Sequence, residues 1–213
     1  VFCTMKHSER ILIIDYGLGN LWSVHSALKY LGVNPVVSSE PSEVCSADAL
    51  ILPGVGSFRK AMQALHERGL VEAISNAVRV RQRKILGICL GFQMLATSST
   101  EDGYTEGLGL ISGHVERFTP AELQGNKLPH IGFNLVQMTS AEGLFMGFSK
   151  ATDFYFVHSY RLLPADLPTQ SAISNYGTDF VAAYQDANVY GTQFHPEKSQ
   201  TNGLRLLKNF IHS

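Results

Sequence analysis

Three short apolar runs, Ile11-Leu12-Ile13-Ile14, Ala49-Leu50-Ile51-Leu52 and Lys84-Ile85-Leu86, each break off in a glycine-rich loop. Runs of this length with no polar alternation are those of parallel strands buried on both faces. Between them lie segments with helical spacing. Apolar residues recur at Leu21, Val24, Leu28 and Leu31 after the first run, and two helical segments, Phe58–Glu67 and Leu70–Arg83, follow the second. Pro35-Val36-Val37 reads as one more short strand. Alternation of strand and helix predicts an α/β fold with an open, mostly parallel twisted sheet, covered by helices on both faces. Ligands of such sheets bind beyond the carboxyl ends of the strands, where these glycine-rich loops meet.

The second half changes character. Val115–Phe118, Ile131–Gln137, Phe154–Val157, Val181–Tyr184 and Val189–Gln193 are β-prone and joined by polar turns, which predicts added antiparallel strands. Leu204–Ile211 closes the chain as an amphipathic helix. No linker, repeat or compositional break divides the 213 residues. The expectation is an N-terminal extension over residues 1–9, polar and without the apolar stretch of a signal peptide, then a single domain over 10–213.

A net charge of -1 leaves no basic excess for a nucleic-acid or membrane-surface binder, and no apolar run approaches the length of a span. Cys3, Cys45 and Cys89 are an odd count without metal-ligand spacing. That pattern predicts no metal, no disulfide framework and a cytoplasmic location, with one thiol kept for chemistry.

The thiol is Cys89. The run from Lys84 ends in Gly87-Ile88-Cys89-Leu90-Gly91 and continues as Phe92-Gln93-Met94-Leu95-Ala96, a strand, sharp turn and helix. This is the arrangement of a nucleophile elbow, with cysteine in the serine position. The helix amides following the turn favour thiolate over thiol. A nucleophile of this kind needs a base and a group that orients the base. Of eight histidines, His7, His25, His66, His114 and His212 have no chemical context. His195 does: Gln193-Phe194-His195-Pro196-Glu197 places it at a strand end, with Glu197 positioned to accept its second ring N–H.

These two segments stand in order with four more: Asp15-Tyr16-Gly17-Leu18-Gly19-Asn20, Pro53-Gly54-Val55-Gly56, Pro129-His130-Ile131-Gly132-Phe133-Asn134 and Tyr155-Phe156-Val157-His158-Ser159-Tyr160. With them the chain resembles the class I (triad) glutamine amidotransferases from Ile11 to Phe210, most closely the glutaminase subunits of imidazole glycerol phosphate synthases. The resemblance implies that Cys89 attacks the side-chain amide of L-glutamine to form a thioester, that His195 shuttles the proton and that Glu197 orients His195. It implies an oxyanion hole from the backbone amides of Leu90 and Val55. It implies a glutamine site at Gly54, Gln93, Glu101 and the backbone of His158, Ser159 and Tyr160. The glycines flanking Val55 suggest a loop whose peptides can turn. No cofactor is required.

The resemblance further implies a heterodimer in which a (β/α)₈-barrel synthase receives ammonia through a channel, with Asn20 and Lys198 facing that partner. A helix cap for Asn20 and an exposed charge for Lys198 are the plainer readings. Two positions depart from the usual histidine-pathway pattern: Phe133 stands where tryptophan is usual and Phe92 where methionine is usual. Neither belongs to the triad, so they bear on which acceptor is served. A glutaminase supplying ammonia to sugars of surface polysaccharides is the alternative within the same chemistry. A peptidase-like or chaperone-like protein built on the same elbow is the alternative from another class.

Overall fold

The computed structural model describes residues 9–213. The expected extension, with Cys3 and His7, lies almost wholly outside the described residues. Strands β1 (Ile11–Ile14), β2 (Val36–Ser38), β3 (Ala49–Gly54) and β4 (Lys84–Cys89) alternate with α1 (Leu21–Tyr30), α2 (Pro41–Ser46), α3 (Phe58–Glu67) and α4 (Leu70–Ser75). A five-residue helix, α5 (Leu90–Met94), follows β4 directly. Then come β5 (Ala96–Ser99), β6 (Thr105–Glu106), β7 (Ile111–Arg117), α6 (Pro120–Leu123), β8 (His130–Met138), β9 (Ala151–His158), β10 (Tyr160–Pro164), β11 (Gln170–Tyr176), β12 (Thr178–Asp186), β13 (Val189–Thr192) and α7 (Gln200–His212).

Nine strands form one sheet in the order β2-β1-β3-β4-β13-β12-β11-β8-β9. Its first five members pair in parallel and the rest pair antiparallel. The alternation of side chains along each strand divides the core in two. Leu12, Ile14, Leu50, Leu52 and Ile85 pack with Phe58, Met62, Leu65, Leu70 and Ile74 of α3 and α4. Ile11, Ile13, Ile51, Leu86 and Ile88 pack on the other face with Val24 and Leu28 of α1 and Leu206, Leu207 and Phe210 of α7. Each side chain buried this way contributes ~1.5–3 kcal/mol relative to exposure. Burial on both faces is why the parallel strands read as unbroken apolar runs. Among the described residues no helix is long and apolar enough to cross a membrane.

The structure differs from the sequence expectation in several places: α2, α6, β10 and β11 were not among the expected elements, and β13, expected as an antiparallel strand, also pairs in parallel with β4. The helix expected over Leu70–Arg83 is α-helical only to Ser75 and finishes as a π-helical stretch, Asn76–Val80. Ala77 and Val78 of that stretch are buried in the core. The helix after Cys89 ends at Met94, because the chain turns at Leu95 into β5. β3 runs two residues further than its apolar run, pairing Gly54 with Cys89. Finally, a separate four-stranded sheet, β10-β7-β5-β6, was not among the expected elements. Its members β5 (Ala-Thr-Ser-Ser) and β6 (Thr-Glu) are too short and polar to carry a strand pattern.

That second sheet carries a half-buried ion pair. Arg161 on β10 meets Glu122 of α6, and its guanidinium lies 4.4 Å from the ring centre of Phe118. Thr119 and Glu122 form a capping box that holds the carboxylate in place. The Arg161 side chain and the Thr119 hydrogen bonds hold the Glu122 carboxyl well below the usual range, at about 2.

Candidate active site

β4 delivers Cys89 to the carboxyl edge of the sheet in a strained conformation, φ 54° and ψ -109°. A left-handed φ at a non-glycine residue costs ~1–3 kcal/mol and persists only where its surroundings enforce it. Here the enforcement comes from close packing on both sides. A Cβ on Gly91 would fall on the carbonyl oxygen of Leu52, and one on Gly87 would lie 2.7 Å from the backbone of Phe92. The turn thus presses α5 directly onto β3. The dipole of so short a helix is small, so the local amides and side chains matter most for the sulfur. Sγ lies 3.7 Å from the carbonyl oxygen of Val157 and 3.8 Å from Nε2 of Gln193.

β13 runs beside β4 and delivers His195 to the same edge. Its backbone N–H donates to the carbonyl of Tyr155 on β9 (2.9 Å), and Ser199 Oγ donates to its carbonyl (2.7 Å). Pro196 opens a 3₁₀ turn that swings Glu197 back under the ring. Nδ1–H of His195 donates to Glu197 Oε1 at 2.8 Å, with both side chains 2 % exposed. Nε2 is buried without a hydrogen-bond partner among the described residues. Burial alone would disfavour a charged ring, but Cys89 and Glu197 outweigh it and raise the His195 pKa to about 10. A protonated imidazole beside the sulfur is the state that pairs with a thiolate.

Cys89 and His195 open into a cavity of about 310 Å³, also lined by Val55, Gly56, Leu90, Gln93, Glu101, Pro129 and Val157–Tyr160. Most of the sequence-selected residues therefore meet around one space. Gly54 does not line it. Gly54 sits behind the wall, where a Cβ would lie 2.6 Å from the Tyr16 hydroxyl and 2.9 Å from the Gly91 nitrogen. Strand pairing holds Gly54, so the turning freedom expected around Val55 is confined to Gly56, whose φ is +102° with open space about it. Glu101 lies in the turn after β5, and its Oε2 accepts the Phe58 N–H at the start of α3 (2.9 Å). Partial burial raises its pKa above the ordinary carboxylate value, and the Phe58 hydrogen bond opposes that rise.

Asn20 and Lys198 lie outside the cavity. Asn20 caps α1, its Oδ1 accepting from Ser23 N–H at 3.4 Å. Lys198 is exposed, with Nζ 5.9 Å from the Tyr155 ring centre. Phe92, one of the two departures, is fully buried: its ring covers Gly191 and stands 6.5 Å from that of Tyr184. It is core, so its identity says nothing about a partner. Phe133, the other, is exposed on β8 and stacks edgewise on Tyr155 at 5.6 Å.

Behind the cavity wall runs a hydrogen-bond chain that the sequence did not disclose. His158 Nδ1–H donates to the Tyr160 carbonyl (2.8 Å), which leaves its Nε2 as an acceptor for Nδ1–H of His130 (3.0 Å). His130 Nε2 then accepts from Asn134 Nδ2 (3.3 Å). His130 and His158 are direct partners across the β8/β9 pair, a relation set by register alone. Burial lowers the pKa of His130 to about 4 and of His158 to about 3, the latter opposed by its bond to Tyr160. Between the ordinary value near 6.5 and these values the unfolded chain binds more protons than the folded one. The pair therefore favours the folded state above about pH 6.5 and ceases to do so as the pH falls toward 4. We expect the thermal midpoint of the wild type to drop over that interval more than that of His130→Gln. Parallel curves in a pH series of melting scans would refute the assignment.

The family model described as glutamine amidotransferase class-I matches residues 12–213. The chain is 47% identical over 200 residues to the imidazole glycerol phosphate synthase subunit HisH of Moorella thermoacetica, covering 94% of this chain and 93% of that one. It is 45% identical over 208 residues to the HisH subunit of Methanosarcina acetivorans, covering 95% and 98%. Among solved structures, PurLQS from Thermotoga maritima superposes with a TM-score of 0.74 at 18% identity, covering 96% of this chain and 98% of that one. A glutamine amidotransferase from the same organism superposes at 0.60 with 19% identity, covering 97% and 82%. At such identities the structural likeness speaks for the fold alone, while the sequence matches span nearly the whole chain. The protein belongs to the class I glutamine amidotransferase family, in the company of the HisH subunits.

Proposed function

We propose that this protein is the glutaminase subunit of an imidazole glycerol phosphate synthase, a single amidotransferase domain over residues 10–213 that works in the cytoplasm. The observation that carries the reading is the meeting of Cys89 and His195 at one small cavity, with Glu197 bound to the far side of the His195 ring and that pair withdrawn from solvent. The HisH relatives support the histidine-pathway assignment over a polysaccharide acceptor or a non-glutaminase protein.

In this mechanism glutamine enters the cavity beside Gln93, Glu101 and the His158–Tyr160 backbone. The Cys89 thiolate attacks the carboxamide carbon, and the backbone N–H groups of Leu90 and Val55 receive the oxyanion. Each such donor is worth ~3 kcal/mol of barrier. His195 gives its proton to the leaving nitrogen, so ammonia departs and a thioester remains. The neutral ring then takes a proton from water, whose oxygen attacks the thioester. Glutamate leaves, and Cys89 and His195 return to their starting charges. Glu197 keeps Nδ1–H occupied so that Nε2 faces the chemistry.

Ammonia needs a protected route, which the barrel-type synthase partner supplies as a channel. Its seat is the β8 face carrying Ile131, Phe133 and Leu135, which are 59%, 47% and 58% exposed on alternate positions. Asn20 and Lys198 are assigned to that contact as well. The test is to mix the protein with a synthase partner of the HisF type and follow glutamate together with imidazole glycerol phosphate. Equimolar, glutamine-dependent formation of both is expected. Glutamate without cyclised product would move the assignment to another acceptor, and no glutamate at all would end it.

A further inference from the structure

Gln193 is fully buried, two residues before the proposed base, and the triad mechanism gives it no task. Its amide orientation is settled by a chain of obligatory partners. The Tyr160 carbonyl can only accept, so the Gln93 atom 2.9 Å from it is Nε2. The same Nε2 lies 3.0 Å from the Gln193 side chain, which must answer with Oε1. Nε2 of Gln193 therefore points at Cys89 Sγ, 3.8 Å away. The chain is held at its far end by His158, which also donates to the Tyr160 carbonyl.

We propose that Gln193 is a catalytic residue that donates a hydrogen bond to the Cys89 thiolate and holds the sulfur ionised before glutamine arrives. An N–H donor favours the charged form of sulfur over the neutral thiol. His195 supplies charge from one side, and Gln193 supplies a fixed dipole from another that needs no proton transfer and does not titrate. The proposal rests on the nucleophile reading of Cys89 given above and adds the group that tunes it. Gln193 also props Gln93, so a purely structural role has its own signature: weaker glutamine binding with an unchanged sulfur.

The test is the pH dependence of Cys89 alkylation by iodoacetamide in the full-length protein, read on the Cys89 peptide by mass spectrometry without glutamine present. Gln193→Met keeps the volume and removes the donor. The alkylation midpoint is expected to rise by about one pH unit, a tenfold loss of thiolate below both midpoints. Gln193→Glu keeps the shape and can still accept from Gln93, but sets an oxygen against the sulfur, and its midpoint is expected to rise further. In steady state both variants lose about tenfold or more in kcat. Midpoints in both variants that coincide with the wild type, whatever happens to KM, would overturn the proposal. The alkylation needs no substrate, so a failure of the glutaminase reading would show separately, as absent glutamate release by a wild type whose midpoints still separate from those of the variants.

Discussion

Cys89→Ala is expected to abolish glutamate and ammonia release, with a loss of at least ~10⁴-fold in kcat, since no other group in the cavity can form the thioester. Synthesis supported by added ammonium salts through the partner should survive, because that route bypasses the sulfur. Retained glutamine hydrolysis in the alanine variant would remove Cys89 from the mechanism. The same position separates chemistry from strain. Alanine cannot relieve the +54° φ of residue 89, whereas glycine adopts it freely. We therefore expect Cys89→Gly to be more stable than Cys89→Ala by ~1 kcal/mol, a reversal of the usual order of these residues. Chemical denaturation of the two inactive variants measures the difference, and an alanine variant of equal or greater stability would show the elbow to be unstrained.

Gly91→Ala should be the most damaging substitution for the fold. Its added carbon would coincide with the Leu52 carbonyl oxygen, a backbone atom of the central strand β3 that has nowhere to move. Relief requires α5 to lift off β3, which opens the core around Leu90, Phe92 and Met94 and moves Cys89 as well. A cost above ~4 kcal/mol is expected, beyond the range of ordinary substitutions. For a chain of this length that is a fall of roughly 10 °C or more in thermal midpoint, or failure to fold. Gly56→Ala provides the contrast: its Cβ meets open space, and only the +102° φ resists the change. A Gly91→Ala protein melting within a few degrees of wild type would mean that α5 is not held against β3 as described.

Much of this arrangement was legible in the sequence, for a physical reason. Strands buried on both faces must be apolar throughout, so β1, β3 and β4 are visible as runs, and an elbow too tight for side chains must carry glycines at Gly87 and Gly91. The pairing of His195 with Glu197 is also local, because a single 3₁₀ turn separates them. In the second sheet β7 was legible in part, as Val115–Phe118, whereas β5 and β6 were not, since two- to four-residue polar segments have no period to detect. Gly54 stands behind the cavity wall, and the sequence could not show this, because a glycine needed for close packing looks the same there as one needed for a ligand.

What the sequence by itself disclosed is strands β1 to β4 of the parallel half and the elbow, with Cys89, His195 and Glu197 picked out as a candidate triad, all of which follow from local pattern and spacing. Only the tertiary structure decided that Phe92 is core, that Glu101 caps α3, and that Gln193, Gln93, Tyr160, His158 and His130 form one hydrogen-bond chain ending at Cys89. Those relations join residues up to 104 positions apart. They depend on register between strands and on which acceptor-only carbonyl fixes each amide, and neither leaves a trace in the order of residues along the chain.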